Sequence, residues 1–166
     1  MRNTYEVRAE RFIHQLYDYI CDCGNYREIE NAISRFNYMN RRNVIFRHGL
    51  TRIAFITSDY VIKMDFGSGY NMTQFGGCEN ECRIYEEAVA EGYEYLFAKP
   101  TMVEYEGHNF YIMPRIRNIG RYDYDVSEYL TEEENDWVEE RVFDLHYRNY
   151  GWKDGHPVIF DYAAIT

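Results

Sequence analysis

This 166-residue sequence predicts an α+β fold built on antiparallel strands. Three observations carry that prediction. Apolar residues recur at helical spacing in four separate stretches. Between them lie three pairs of short β-rich runs, each pair joined by a few turn-forming residues, which is the pattern of hairpins. No internal repeat and no Pro/Ser/Gly-rich linker breaks the order.

The first two stretches come in succession. Residues 5–20 place Phe12, Ile13, Leu16 and Ile20 on one helical face, residues 26–39 do the same with Ile29, Ile33, Phe36 and Met39, and Gly24-Asn25 punctuates between them. From Ile53 to Phe66 the residues turn to β type. Ile53-Ala54-Phe55-Ile56 and Tyr60-Val61-Ile62-Lys63-Met64, separated by Thr57-Ser58-Asp59, predict a hairpin.

After the glycines of 67–77, residues 79–91 carry Ile84, Tyr85, Ala88 and Val89 at helical spacing, with acids in the first turn where the helix dipole favours them. A helix of about three turns is expected. Met102-Val103-Glu104-Tyr105 and Asn109-Phe110-Tyr111-Ile112-Met113 flank a Glu106-Gly107 turn and stop at Pro114, a second hairpin. Thr131-Glu132-Glu133-Glu134 matches a capping box and opens a short helix to about residue 142. Tyr150-Gly151-Trp152 and Val158-Ile159-Phe160, around Lys153-Asp154-Gly155, form a third hairpin that runs into Asp161.

Composition narrows the function. No run approaches a membrane span, and the start of the chain lacks the apolar stretch of a signal peptide, so a cytoplasmic protein with no membrane partner is expected. Cys21, Cys23, Cys78 and Cys82 are too few for a disulfide scaffold, and their CxC and CxxxC spacings are not the usual zinc pairs; reduced thiols are expected. The net charge of −10 argues against nucleic acid as a partner. Of eighteen basic residues only Lys63, Lys99 and Lys153 are lysines, so any role that needs an ammonium group has three candidates.

Asp144-Leu145-His146-Tyr147-Arg148-Asn149 fits D-L-x-x-x-N, and Asp161 follows Asn149 by twelve residues at the end of an apolar strand. On these residues the sequence resembles the protein-kinase-like superfamily, nearest in motif style to its aminoglycoside-phosphotransferase branch. Upstream, Tyr60-Val61-Ile62-Lys63 resembles the V-A-I-K strand, and Glu81, with Glu86 in reserve, lies in a helix where the lysine's glutamate partner belongs. Arg47-His48-Gly49-Leu50-Thr51-Arg52 stands where the phosphate-covering loop belongs, with one glycine in place of G-x-G-x-x-G. Residues 41–52 hold Arg41, Arg42, Arg47 and Arg52 with no acid, and Thr51 or Arg52 is suited to phosphate oxygens in place of the absent glycines.

The resemblance implies a kinase-like N-lobe over 46–115, a minimal C-lobe over 116–166 and an extra helical segment over 1–45. It implies ATP and Mg²⁺ as cofactors. Lys63 would hold the α/β-phosphates with Glu81 orienting it, Gly49, Thr51 and Arg52 would lie near the phosphates, and Met113 and Arg115 would border the adenine. Asn149 and Asp161 would ligate Mg²⁺, and Asp144 would accept the proton of the attacking hydroxyl. Taken singly each residue has a plainer reading, a strand-edge lysine or a turn aspartate among them; their joint order is what points to phosphoryl transfer.

The chain stops five residues after Asp161, so the activation segment and the peptide-binding helices of protein kinases have no counterpart in it. Two function classes follow. One is a minimal ATP- and Mg²⁺-dependent phosphotransferase acting on a small molecule, a partner protein or itself. The other is a pseudokinase-type module that docks on a larger protein with a basic surface through residues 121–140, where nine acids face one base, Arg121.

Overall fold

The computed structural model describes residues 4–49, 52–66, 77–118, 125–142 and 145–162. They form an α+β fold: a five-stranded antiparallel sheet, a separate three-stranded sheet and, among the described residues, four α-helices. The chain divides into two compact units. The first comprises Met1–Gly76 and Thr101–Arg115, and the second Gly77–Pro100 and Ile116–Thr166.

The first unit begins with two helices, α1 (Thr4–Ile20) and α2 (Tyr26–Asn40). On α1 the buried residues are Ala9, Phe12, Ile13, Leu16 and Ile20, a stripe on one side of a 3.6-residue helix. Asn25 caps α2, its Oδ1 accepting from Glu28 N at 3.0 Å, which accounts for the break at Gly24-Asn25. At the other end Arg41 adopts the left-handed conformation, φ 51°, and its N–H donates to Asn37 O.

Asn37 also sets the next element. Its side chain donates to Val44 O and accepts from Val44 N, both at 2.9 Å, and so directs the chain into β1 (Ile45–His48). The sheet continues with β2 (Arg52–Ile56), β3 (Tyr60–Asp65), β4 (Thr101–Tyr105) and β5 (His108–Pro114), in the order β1-β2-β3-β5-β4. Both expected hairpins, β2–β3 and β4–β5, are present. Glu106 and Gly107, at φ 51° and 77°, form the positive-φ turn that matches the twist of a two-residue hairpin.

Alternate residues of these strands face α1 and α2. Ile53, Phe55, Ile62, Met64, Phe110 and Ile112 join Phe12, Ile13, Leu16 and Phe36 in one core, with the Phe12 and Phe36 rings edge to face at 5.4 Å. The strand period of two therefore sends β2 Ala54, β3 Lys63 and β5 Tyr111 to the opposite face.

The second unit holds α3 (Gly77–Glu91), which starts two residues earlier than expected and runs about four turns. Short 3-10 segments follow at Glu94–Leu96 and Val126–Tyr129. Helix α4 (Glu132–Glu139) opens with the predicted capping box: Glu134 N donates to Thr131 Oγ1 at 3.2 Å and Thr131 N to Glu134 Oε2 at 2.6 Å. It ends at Glu139 rather than near 142, and Arg141, just beyond it, stacks on Trp137 at 4.2 Å and pairs with Glu87, Glu91 and Glu140.

The third expected hairpin is β7 (Tyr150–Lys153) with β8 (His156–Ile159), turned by Asp154 and Gly155 at φ 52° and 88°. The two-residue strand β6 (Arg117–Asn118), which the sequence did not suggest, pairs with β7. It approaches so closely that a Cβ on Gly151 would stand 2.1 Å from Arg117 O and 2.7 Å from its carbonyl carbon.

A Gly151→Ala change meets rigid backbone, whereas Gly49→Ala meets nothing within 4 Å. In urea unfolding, Gly151→Ala should cost about 2 kcal/mol or more, and Gly49→Ala should stay within about 0.5 kcal/mol of the parent.

Candidate functional site

The residues singled out by sequence divide between the two units. Lys63, Gly49, Thr51, Arg52, Met113 and Arg115 belong to the first; Glu81, Asp144, Asn149 and Asp161 belong to the second. Thr51 and Asp144 lie outside the described residues.

In the first unit, strand register places the residues. On the face turned away from α1 and α2, Arg47 stands opposite Ala54, Ala54 opposite Lys63, and Lys63 opposite Tyr111. This row runs across four strands. The neighbouring row, Ile45, Ile56, Val61 and Met113, is apolar throughout. Lys63 is 7% exposed and Met113 1% exposed. A charged row beside an apolar row on one sheet face suits a ligand with an anionic chain and a flat apolar ring.

The remaining residues of this unit occupy the strand ends. Arg52 stands opposite Asp65, a cross-strand position where opposite charges attract. Gly49 N donates to Arg52 O at 2.8 Å and closes the β1–β2 turn. Arg115 clasps the β2–β3 turn: its N–H donates to Asp59 O at 2.9 Å and its Nη1 to Thr57 O at 2.7 Å.

In the second unit, backbone hydrogen bonds gather three of the four residues. Asn149 follows a tight turn in which its N–H donates to His146 O at 2.8 Å. Its own carbonyl accepts twice, from Phe160 N at 2.8 Å and from Asp161 N at 3.2 Å. The β7–β8 hairpin thus brings together residues twelve positions apart in the chain. One residue further on, Tyr162 N donates to Glu81 Oε1 at 3.2 Å, which joins helix α3 to the same segment. Glu81 is fully buried and Asn149 is 8% exposed, while Asp161 is half-buried.

Tyr162, which with Ala163 after Asp161 contributes to the family resemblance, is a residue to which sequence reasoning assigned no structural role. Its ring lies edge-on to Phe97 at 4.9 Å, and its hydroxyl donates to Ala98 O at 2.8 Å. Ala98 N in turn donates to Ile159 O at 2.8 Å. Tyr162 therefore locks the segment after Asp161 against both α3 and the chain that follows it. Burial pushes its phenol well above the ordinary tyrosine range, and the Glu81 charge adds to the effect. Its position directly after the expected metal ligand was the one signal in the sequence.

Oxygen donors on two side chains, one amide and one carboxylate, fit Mg²⁺, which keeps several waters and takes the rest of its shell from phosphates. The clasp at Asn149 O fixes the two backbones from which those donors spring. Among the described residues, no group of three or more His, Cys, Asp or Glu assembles a self-sufficient metal cage. No described helix is long and apolar enough to cross a membrane.

No family model and no curated protein matches the chain. Among solved structures it is similar to the Legionella pneumophila Lpg2603 kinase bound to IP6, at 14% identity and a TM-score of 0.46 over 74% of its length. The chain spans about half of that kinase, 48% of its residues.

Tyr162 yields a pH prediction. Its folded pKa is raised, so its contribution to stability is complete below about pH 10, the pKa of a free tyrosine, and is lost as pH rises toward the folded value. The stability gap between the parent and Tyr162→Phe, about 1 kcal/mol at neutral pH, should shrink as unfolding is measured at increasing pH above 10. A gap unchanged up to pH 11 would contradict this placement of the phenol.

Proposed function

We propose that this chain is a kinase-like phosphotransferase that uses ATP and Mg²⁺. The observation that carries the reading is the clasp at Asn149, which holds the expected metal-binding asparagine and aspartate to one another across the β7–β8 hairpin. The order Lys63, Glu81, Asp144, Asn149, Asp161 along the sequence supports it.

Each residue has a separate role. Lys63, an ammonium on the central strand of the first unit, neutralises nucleotide phosphates, and the apolar row of Ile45, Ile56, Val61 and Met113 accepts the base. Asn149 and Asp161 hold Mg²⁺, which when bound neutralises charge on the phosphates. Asp144 accepts the proton of the acceptor hydroxyl as it attacks. Tyr162, through its bonds to Glu81 and Ala98, keeps the Asp161 backbone from drifting. The phosphoacceptor is a small molecule, a partner protein or the chain itself.

A ligand bound by the native state alone at ~100 times its dissociation constant adds ~2.7 kcal/mol of stability. Mg-ATP at millimolar concentration should accordingly raise the melting temperature by several degrees. Asp161→Asn should abolish most of that shift, because a neutral amide is a much poorer Mg²⁺ ligand. Asp144→Asn should keep the shift and lose phosphate transfer from labelled ATP. Absence of a shift with ATP, GTP and their Mg²⁺ complexes would overturn the proposal, and equal loss of binding in both variants would overturn the division of roles.

A further inference from the structure

The single glycine of the β1–β2 turn leaves a practical question for a nucleotide-binding protein, namely which groups cover the phosphates. Backbone amides are a poor answer at Gly49, whose N–H is already donated to Arg52 O at 2.8 Å. Arg52 stands opposite Asp65 in the β2–β3 register, so a carboxylate lies across the strand from its charge. Arg47 is placed differently.

Arg47 lies on β1, in the same row and on the same sheet face as Lys63, with only Ala54 between them. At ~4.8 Å per strand their Cα atoms are ~10 Å apart, and the one side chain between them in the row is the methyl of Ala54. The Arg47 side chain is exposed. Its Nη1 donates to the Phe46 carbonyl at 3.0 Å, and the guanidinium makes no ion pair among the described residues. It also sits in the 41–52 stretch, which has four arginines and no acid in a chain of net charge −10. An arginine that no described acid pairs, aligned with a lysine over an alanine, has the fork geometry and charge for a phosphate group.

We propose that Arg47 is a second phosphate-binding residue, which with Lys63 grips the polyphosphate of the nucleotide and replaces the amides of a glycine-rich loop. This rests on the nucleotide-binding reading above. The assignment implies that affinity grows with phosphate number through Arg47, and that adenosine, which has no phosphate, is insensitive to it.

The test is titration calorimetry of the full chain with adenosine, AMP, ADP and ATP, the last two with Mg²⁺, for the parent, Arg47→Ala, Arg47→Lys and Lys63→Ala. Arg47→Ala should weaken ATP about tenfold or more, leave adenosine within about twofold, and leave the ligand-free melting temperature unchanged. Arg47→Lys should recover part of the loss, since it restores the charge without the fork. If Lys63→Ala weakens ATP binding and Arg47→Ala does not, the Arg47 assignment is wrong and the nucleotide-binding reading stands. Equal loss for adenosine and ATP in Arg47→Ala would make its role one of strand structure and also overturn the assignment. A parent that binds none of the four ligands overturns both.

Discussion

The carbonyl of Asn149 accepts hydrogen bonds from the amides of both Phe160 and Asp161, and much of the second unit is arranged around that junction. The turn before it, closed by Asn149 N to His146 O, sets the direction of the chain into β7. The Asp154-Gly155 turn returns β8 antiparallel to β7, so Phe160 arrives opposite the residue that receives it. Beyond Asp161, Tyr162 closes a second layer of bonds, to Glu81 on α3 and to Ala98. Paired backbone amides and one buried tyrosine thus fix the backbone on either side of the two polar residues.

The first unit solves a related problem with a sheet. Its inner face supplies the core with α1 and α2, so the outer face is free to carry rows of different chemistry. The register makes one row apolar and the adjacent one cationic, and it does so from residues on four different strands. A one-residue slip of β1 would send Arg47 to the helix face and Phe46 outward, a change that the core at Phe46 and Phe55 opposes.

Much of this fold was legible in the sequence, for identifiable reasons. The hairpins at 106–107 and 154–155 were readable because each places glycine at the second turn position, at 154–155 after an aspartate that tolerates positive φ, and α4 because Thr131 and Glu134 satisfy each other's backbone. Strands β1 and β6 were not. The first is four residues ending in Arg47-His48 and gains its strand character from pairing with β2; the second is two residues long and owes its place to the absent side chain of Gly151. The order of Lys63, Glu81, Asn149 and Asp161 could be read from spacing, but the bracing by Tyr162 depends on a contact 81 positions away, and the alignment of Arg47 with Lys63 depends on register across two strand pairs. Neither leaves a local pattern.

The central claim, that Asn149 and Asp161 are joined to hold a metal ion for nucleotide phosphates, is tested most directly by replacing Mg²⁺ with paramagnetic Mn²⁺, which oxygen ligands also accept. In nuclear magnetic resonance spectra of the labelled chain with ATP, substoichiometric Mn²⁺ should broaden the side-chain amide of Asn149 and the backbone amides of Phe160, Asp161 and Tyr162 first. The same residues should remain sharp in Asp161→Asn. Broadening centred on the acidic helix α4, or broadening at Asn149 that persists in Asp161→Asn, would contradict the account.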